Sequence, residues 1–361
     1  IDRFDTSNVE DLSYQFYGCN SVKSLNIANY NTKSATDMSF MFGGCYQVRE
    51  LRVNASNFDT SKVTDMSYMF GKCTSLSSLD VTKFNTQEVQ NTAGMFANCR
   101  NLKILQLENF DTSKVTDMSY MFQGCLLTQQ ITLGNKFLTN NVEDMYYMFG
   151  GSEYLTSLDL SHFDTSKVTD MSHMFDSCSK LTSLNIGYLN TEKVTDMAYM
   201  FYGCYQLKIE GLDKFVTNKV TDMGYMFNYL QSMQYFDLRN FNTEKVRNMI
   251  YMFSDCYELK SLDLSSFNTK DVEDMKGMFS GCKNLETIKL GENFNTKYVR
   301  DMQEMFTSCS SLVSLDLSSF DTQSVRDMNR MFAYCEKLTY LDVSKFKTGK
   351  VVNMELMFRE S

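Results

Sequence analysis

Large apolar side chains recur along this chain with a period of 26 residues, broken by one spacing of 28 and two of 27. The string FDTSKVTDMSYMF occurs at 58–70 and 110–122, and 163–175 differs only at His173. We number each repeat by offset from its first aromatic or apolar residue, the anchor. This period predicts a solenoid, in which each repeat adds one coil against its neighbour. The anchors are Phe4, Tyr30, Phe58, Phe84, Phe110, Phe137, Phe163, Leu189, Phe215, Phe241, Phe267, Phe294, Phe320 and Phe346.

Each repeat carries an apolar stripe at offsets 8, 11, 12 and 15, mostly Met, Met, Phe and Cys. This i, i+3, i+4, i+7 spacing is typical of a short helix. Asp or Asn at offset 7 suits a helix N-cap, and Gly or Asn near offset 14 suits a left-handed C-cap. The pattern therefore predicts a helix of about two turns in each coil, such as Met66–Gly71.

The segment after the cysteine has the pattern L-x-x-L-x-L, as in Leu76, Leu79 and Val81. This is the strand pattern of leucine-rich repeats, with alternate side chains pointing inward. Parallel crossovers are right-handed. The predicted fold class is an α/β repeat solenoid of right-handed, leucine-rich-repeat-like coils of about 26 residues. Each coil would contribute a short strand and a short helix, with one parallel sheet.

We expect residues 1–361 to form a single solenoid of fourteen coils, the last one incomplete, cut from a longer chain. The three longer spacings place small insertions near 54–57, 134–136 and 291–293, where they leave the motif intact and therefore belong in loops. Offset 2 is Thr in all fourteen repeats, which favours a buried Thr ladder between coils over a cap.

The composition is globular, with 43% hydrophobic and 22% charged residues. The net charge of −9 argues against nucleic acid and anionic membrane surfaces as partners, since both need a basic face. No run of eighteen apolar residues occurs, so we expect no direct membrane insertion by this segment.

All eleven cysteines stand at offset 15, on the apolar stripe. No C-x-x-C pair occurs, and the ligand spacing of a zinc site is missing. A ladder of buried free thiols is favoured, while disulfides between coils and metal binding stay open as alternatives. The methionine files at offsets 8 and 11 are read as core packing in preference to a copper site or a pliable groove.

No catalytic motif stands out. The two histidines, His162 and His173, have no nucleophile held at a distinctive position beside them, and no phosphate-binding loop or metalloprotease motif is present. We therefore expect a protein that is not an enzyme, with no cofactor and no metal.

Two surface files are candidate binding positions. A row of tyrosines at offset 10 could stack on sugars or anchor a protein partner, or could shield neighbouring coils. Aspartates at offset 22 could bind cations or a basic partner, or could simply be solvated. The first file is Tyr14, Phe40, Tyr68, Tyr120, Tyr147, Tyr199, Tyr225 and Tyr251; the second is Asp80, Asp159, Asp237, Asp263, Asp316 and Asp342.

Written as C-x-x-L-x-x-L-x-L-x-x-F-[DN]-T-x-x-V-x-D-M-x-x-M-F, the repeat resembles BspA-like leucine-rich-repeat surface proteins, including the similar repeats of mycoplasma surface lipoproteins. The resemblance covers the whole chain. It implies an extracellular or cell-surface protein that is often an adhesin for host matrix proteins, mucins or other cells.

The leading functional hypothesis is thus a non-enzymatic adhesin or ligand-binding repeat array, with protein or glycan ligands on host or neighbouring cells. The alternative is a structural protein that self-associates into a filament or a cell-surface coat. Ice or crystal-surface binding through the Thr file is a distant third, since that Thr is predicted to be buried.

Overall fold

The computed structural model describes residues 4–27, 29–53 and 56–361. Two compact units are present, Ile1–Val168 with Met174–Leu181 and Thr169–His173 with Thr182–Ser361. Each unit is a β-solenoid whose successive repeats lie side by side, joined by backbone hydrogen bonds. The single solenoid of fourteen coils stays a prediction. Part of the first insertion, Asn54 and Ala55, lies outside the described residues.

The regular strands are short, parallel and paired in twos. In the first unit β1 (Ser24–Leu25) pairs with β2 (Glu50–Leu51), and β3 (Ile104–Leu107) pairs with β4 (Gln130–Leu133). In the second unit β5 (Ser183–Asn185) pairs with β6 (Lys208–Glu210), and β7 (Ser261–Leu264) pairs with β8 (Thr287–Leu290). One 3₁₀ helix, η1, spans Leu212–Lys214. Where one parallel sheet was predicted, the described residues therefore form four two-stranded sheets.

The strand prediction is confirmed in its direction of burial. In β3, Leu105 and Leu107 are buried, whereas Ile104 and Gln106 are exposed. Alternate side chains of a strand point to opposite faces. Each described strand segment thus has one face in the core and one in solvent.

The predicted short helix is wrong: the described residues contain no α-helix. Residues at offsets 10 and 14 have positive φ in all fourteen repeats, for example 57° at Tyr120 and 66° at Gly124. A right-handed helix cannot include such residues, since its φ is near −63°. The predicted left-handed conformation at offset 14 is confirmed, but it belongs to a chain of turns and not to a helix end.

The backbone amides of this segment alternate between two kinds of partner. Met121 N–H donates within its repeat to Met118 O at 3.2 Å, as in a turn. Tyr120 N–H donates instead to Tyr146 O of the next repeat at 2.8 Å, and Phe122 N–H to Met148 O at 2.9 Å. Every second amide therefore joins neighbouring coils, whereas a helix would have used it internally.

The same turns explain why the stripe looked helical. Overlapping four-residue turns begin at offsets 8, 10 and 12, and left-handed residues stand four apart at offsets 10 and 14. This arrangement brings offsets 8, 11, 12 and 15 to the inside, as a helix of 3.6 residues per turn would. Met118, Met121, Phe122 and Cys125 are all fully buried. Phenylalanines at offset 12 stack on each other, with ring centroids 5.9 Å apart between Phe96 and Phe122. The apolar period therefore predicts which residues are buried, but a helix and a chain of turns both produce it.

Asp or Asn at offset 7 organises the first of these turns. In each repeat its Oδ1 accepts the amide two residues later, as Asp117 does from Ser119 N–H at 2.8 Å. This is an Asx turn, in which a short polar side chain replaces a backbone acceptor. The predicted hydrogen bond to a first-turn amide is thus present, although no helix follows it. The same residue forms a parallel bridge to its counterpart in the next repeat, as Asp117 does with Asp144.

The invariant Thr at offset 2 forms the predicted buried ladder. Thr86 Oγ1 donates to Asp111 O at 2.9 Å and accepts Asp111 N–H at 2.8 Å. In the second unit Thr243 does the same with Asn268, at 2.9 Å for both bonds. One hydroxyl thus satisfies both backbone groups of a residue in the next repeat. This needs a short side chain with both a donor and an acceptor, which accounts for a hydroxyl residue at offset 2 in every repeat.

The cysteines are free thiols, and all are buried except the half-buried Cys19. Nine of them donate to the carbonyl of the offset-12 Phe in the preceding repeat, as Cys282 does to Phe253 O at 3.0 Å. Ser152 stands at the same offset and donates to Phe122 O at 2.9 Å. Burial raises the pKa of Cys282 to about 12, so its thiol stays protonated and keeps its donor. The free-thiol prediction is confirmed.

Replacement of Cys282 tests whether this position needs a donor or only apolar bulk. Cys282→Ser keeps the donor and is expected to lower the free energy of unfolding by less than about 1 kcal/mol. Cys282→Val is similar in size but leaves Phe253 O without this partner, at a cost of about 1–3 kcal/mol. Urea unfolding followed by circular dichroism measures both. If Val proves at least as stable as Ser, bulk alone defines the position.

No helix in the part of the chain described here is long and apolar enough to cross a membrane.

Candidate binding surfaces

The predicted aromatic file forms a ring stack within each unit. In the first unit Tyr14, Phe40 and Tyr68 stack with centroid distances of 4.7 and 4.8 Å. In the second unit Tyr199 and Tyr225 are 4.4 Å apart, and Tyr225 and Tyr251 are 5.3 Å apart. We call these stacks the offset-10 ladder. The sequence analysis left His173 out of it, yet His173 occupies offset 10 and stacks on Tyr199 at 4.4 Å.

Left-handed backbone explains why the ladder is aromatic. A side chain at positive φ costs about 1–2 kcal/mol, and φ is 57° at Tyr199 and 58° at Tyr225. A stacked aromatic pair contributes about 0.5–1.5 kcal/mol beyond its buried area. Stacking between coils therefore offsets much of the strain that the turns impose.

Two glycines interrupt the row of side chains without interrupting the packing. A Cβ on Gly94 would lie 2.2 Å from Tyr68 Cε1, and a Cβ on Gly277 would lie 2.0 Å from Tyr251 Cε1. Each ring thus covers the glycine of the following repeat. Tyr251 OH also donates to Glu304 Oε2, two repeats further on, at 3.2 Å.

Stacking limits what the offset-10 ladder offers to a ligand. The inner rings have both faces against neighbouring rings, so mainly their edges and hydroxyls reach solvent. Tyr120 and Tyr147 lie 6.0 Å apart, and Tyr146 packs edge-on against both of them. This geometry favours packing between coils, and a ligand-binding role for the ladder remains a proposal.

The offset-22 aspartates do not form one cluster. Five lie exposed at the ends of strand segments, and Asp237 is half-buried. Each accepts the amide two residues later, as Asp263 does from Ser265 N–H at 2.9 Å. Asp263 also pairs with Lys289 at 3.0 Å, and Asp237 with Arg239 at 2.7 Å. Hydrogen bonds from Ser265, and then Lys289, lower the pKa of Asp263 to about 2. Within the described ranges no group of three or more His, Cys, Asp or Glu could hold a metal ion.

A second carboxylate file, at offset 7, was not recognised from the sequence as an electrostatic feature. Asp196 is half-buried, and its pKa is raised by burial and then by Asp222 and Asp170. Asn248 relieves such repulsion, because its Nδ2 donates to both oxygens of Asp222 at 3.0 and 3.1 Å. The occasional Asn in an otherwise Asp file was the available signal.

One repeat in the second unit departs from the regular strand. Elsewhere the inward residues at offsets 18 and 21 are three apart, but here Leu207 is followed inward by Ile209. Leu184 accordingly pairs with Ile209, 25 residues later, whereas Leu262 pairs with Ile288, 26 residues later. The chain regains its register through Gly211 and η1.

Gly211 draws this repeat towards the preceding one. Its φ is 89°, and a Cβ there would lie 2.4 Å from Gly187 N. On the opposite edge, Ile209 N–H meets Met233 Sδ at 3.4 Å where a carbonyl would be expected. No assigned strand continues the pairing of β6 on this side within the described residues. A groove opens there, which we call the notch.

The notch has a volume of about 530 Å³. Its lining is mixed in polarity and includes the backbone of Gly211 and the side chains of Lys208, Glu210, Asp213, Ser232, Met233, Gln234, Tyr235 and Asp237. The notch was not predicted from the sequence. The signals were the shortened L-x-I spacing and Met233, the one methionine outside the two files.

A protein-family comparison now places the chain. The family described as "Mycoplasma protein of unknown function, DUF285" matches residues 1–105, 93–210, 206–291 and 284–361. The chain belongs to this family. No curated protein sequence matches the DUF285 chain.

Solved structures with a similar fold are leucine-rich-repeat proteins. One from Bacteroides ovatus is 18% identical, with a TM-score of 0.51 over 92% of the DUF285 chain and 76% of its own. A leucine-rich cell surface protein from Faecalibacterium prausnitzii is 17% identical, with a TM-score of 0.42 over 86% and 78% of the two chains. Neither these proteins nor the family is described as an enzyme. The predicted resemblance to leucine-rich-repeat proteins with mycoplasma relatives is confirmed.

The two aspartate files predict opposite pH behaviour. Because the folded pKa of Asp196 is raised, its charged form opposes folding, and stability falls as pH rises from 3.8 through that folded pKa. Asp196→Asn keeps the acceptor for Ala198 N–H and gains a donor. It should raise the free energy of unfolding at pH 7 by about 0.5–1.5 kcal/mol.

Asp263→Asn is the matched control in the same unit. Its folded pKa is lowered, so its contribution is present above pH 3.8 and is lost as pH falls through about 2. This variant should lower stability at pH 7 by less than about 1 kcal/mol, as for an exposed ion pair. Thermal unfolding from pH 3 to 8 checks both signs. A destabilised Asp196→Asn at pH 7 would contradict the electrostatic account of the offset-7 file.

Proposed function

We propose that this DUF285 chain is a non-enzymatic binding protein, displayed outside the cell, whose exposed strand faces contact protein or glycan ligands. The observation that carries the proposal is the contrast between the two sides of the strand segments. Offset 21 faces inward and is almost always Leu or Ile, whereas exposed offset 20 is Ser in six repeats and takes five other residue types in six more. The exposed offset-20 residues are Ser24, Glu50, Ser78, Ile104, Gln130, Ser157, Ser183, Tyr235, Ser261, Thr287, Ser314 and Tyr340.

This contrast is what a binding scaffold needs. The interior repeats the same Thr, Met, Phe and Cys contacts, so the backbone is held alike in each described repeat. Substitutions on the outer strand face leave these contacts untouched. A rigid parallel array with freely variable outward residues suits recognition of an extended macromolecular surface.

Surface display follows from the resemblance of the repeat to those of BspA-like surface proteins, and the leucine-rich-repeat fold is compatible with it. A role as an adhesin is the finer form of the same proposal. Enzymatic function has no support in the arrangement, because the offset-22 carboxylates are held in local turns and ion pairs and ten of the eleven thiols are buried.

The first test is accessibility and binding of the whole chain. Protease treatment of intact cells should remove the protein, and biolayer interferometry should detect purified chain on sensors coated with mucin, collagen, laminin or fibronectin. The double variant Ile104→Ser, Gln106→Ser changes the exposed face of β3. It should weaken binding to any coat that the first unit contacts by about fivefold or more.

Glu88→Ser with Lys114→Ser is the matched control, since it removes an exposed ion pair of 2.6 Å in the same unit away from the strand face. It should leave binding within about twofold. A protein that is shielded on intact cells and binds none of the coats would overturn the proposal. Concentration-dependent assembly in mass photometry, without binding, would support the filament or coat alternative instead.

A further inference from the structure

We infer that the notch between the repeats of β6 and Met233 is a carbohydrate-binding site, with Tyr235 as the platform for a neutral sugar ring. The inference rests on the binding function proposed above and assigns one ligand class to one place. Its support comes from the volume of the notch, the balance of charged groups around it and the exposed, unstacked ring of Tyr235.

The notch is built into the backbone. The strand of one repeat is shifted by a residue and leans on Gly187 through Gly211, away from the following repeat, which shapes one wall of the notch. Phe236 fills the core behind the notch. Its ring centroid lies 4.9 Å from that of Phe227 and 5.5 Å from that of Phe253. The groove floor is therefore held by buried aromatic contacts. Its volume of about 530 Å³ falls within the range of about 300–1,000 Å³ for small-molecule sites.

The charges around the notch cancel. Lys208 and Glu210 bear opposite charges, Asp213 pairs with Lys214 at 2.8 Å, and Asp237 pairs with Arg239 at 2.7 Å. With Lys214 and Arg239 beside the lining, three cations offset three anions, so the notch and its margin carry no net charge to attract an ionic ligand. A ligand with many hydroxyl groups can donate to the carboxylates and accept from Lys208 and Gln234 without carrying charge itself.

Tyr235 differs from the tyrosines of the offset-10 ladder. It is 70% exposed, and no aromatic ring in the described ranges contacts it. Its ring is open to a partner, whereas Tyr199 and Tyr225 use their faces on each other. An open aromatic face beside hydrogen-bonding side chains fits a sugar, which presents C–H groups on one side and hydroxyls around its edge.

Tyr340 provides a matched control. It stands at the same offset as Tyr235 and is 75% exposed. The inward residues around it keep the regular spacing of Leu338 and Leu341. Tyr340 also lines a groove, of about 370 Å³, beside strand segments of regular spacing. The comparison therefore tests whether the sugar is held at the shifted strand or at any groove beside an exposed tyrosine.

The experiment titrates the whole chain with neutral hexasaccharides of glucose, galactose, mannose and N-acetylglucosamine, and with a heparin hexasaccharide as the charged probe. Saturation-transfer NMR detects contact, and calorimetry gives Kd. We expect at least one neutral sugar to bind with Kd below about 1 mM. Tyr235→Ala should weaken it at least about fivefold, and Glu210→Gln should weaken it too, with unchanged circular dichroism. Tyr340→Ala should leave Kd unchanged.

Three results would overturn the inference. They are no neutral sugar bound below about 1 mM, preference for the heparin hexasaccharide, or equal loss in Tyr235→Ala and Tyr340→Ala. Binding to protein coats that survives Tyr235→Ala, without sugar binding, would leave the general binding function standing and remove only the notch. Loss of both would remove the two proposals together.

Discussion

The structure depends on hydrogen bonds that backbone amides at offsets 8, 10, 12 and 14 make to the next repeat. Tyr120 N–H to Tyr146 O in the first unit and Tyr251 N–H to Lys276 O in the second, both 2.8 Å, are examples. These bonds require a backbone that points alternate amides along the stack, which left-handed residues at offsets 10 and 14 provide. Each coil therefore relies on its neighbour for its polar backbone groups as well as for its apolar contacts.

Most of the distinctive sequence features support these hydrogen bonds between neighbouring coils. The Asx turns at offset 7 form the first turn, and the Thr hydroxyls at offset 2 bond to the backbone of the next repeat. The cysteine thiols donate to Phe carbonyls inside the core. The offset-10 ladder offsets the strain of its own backbone through ring stacking. The repeated thiols, carboxylates and phenols make the same packing and hydrogen-bond contacts in each described coil, and they do not form a chemical site there.

We place the proposed binding function at positions whose residue the repeat does not constrain. Outward strand residues touch neither the core nor the next coil's backbone, and the notch lies where one strand is shifted by a residue. The shift at Ile209 is compensated by Gly211, Met233 and Phe236, three residues that break the pattern at related positions. A change balanced across two repeats leaves the core filled while creating a concave surface.

The period, the buried positions and the Thr ladder follow from the sequence, because each depends on which side chains recur at the same offset, whereas the structure shows that the cysteines are free. The sequence also contained the strand faces, as Leu105 and Ile104 illustrate. The tertiary structure alone decided between helix and stacked turns, since a four-residue turn and a 3.6-residue helix bury the same offsets and differ only in where the amides of Tyr120 and Phe122 find their acceptors. It alone placed the notch, because the shifted pairing of Ile209 with Leu184 sets where Lys208, Glu210 and Tyr235 lie around the groove.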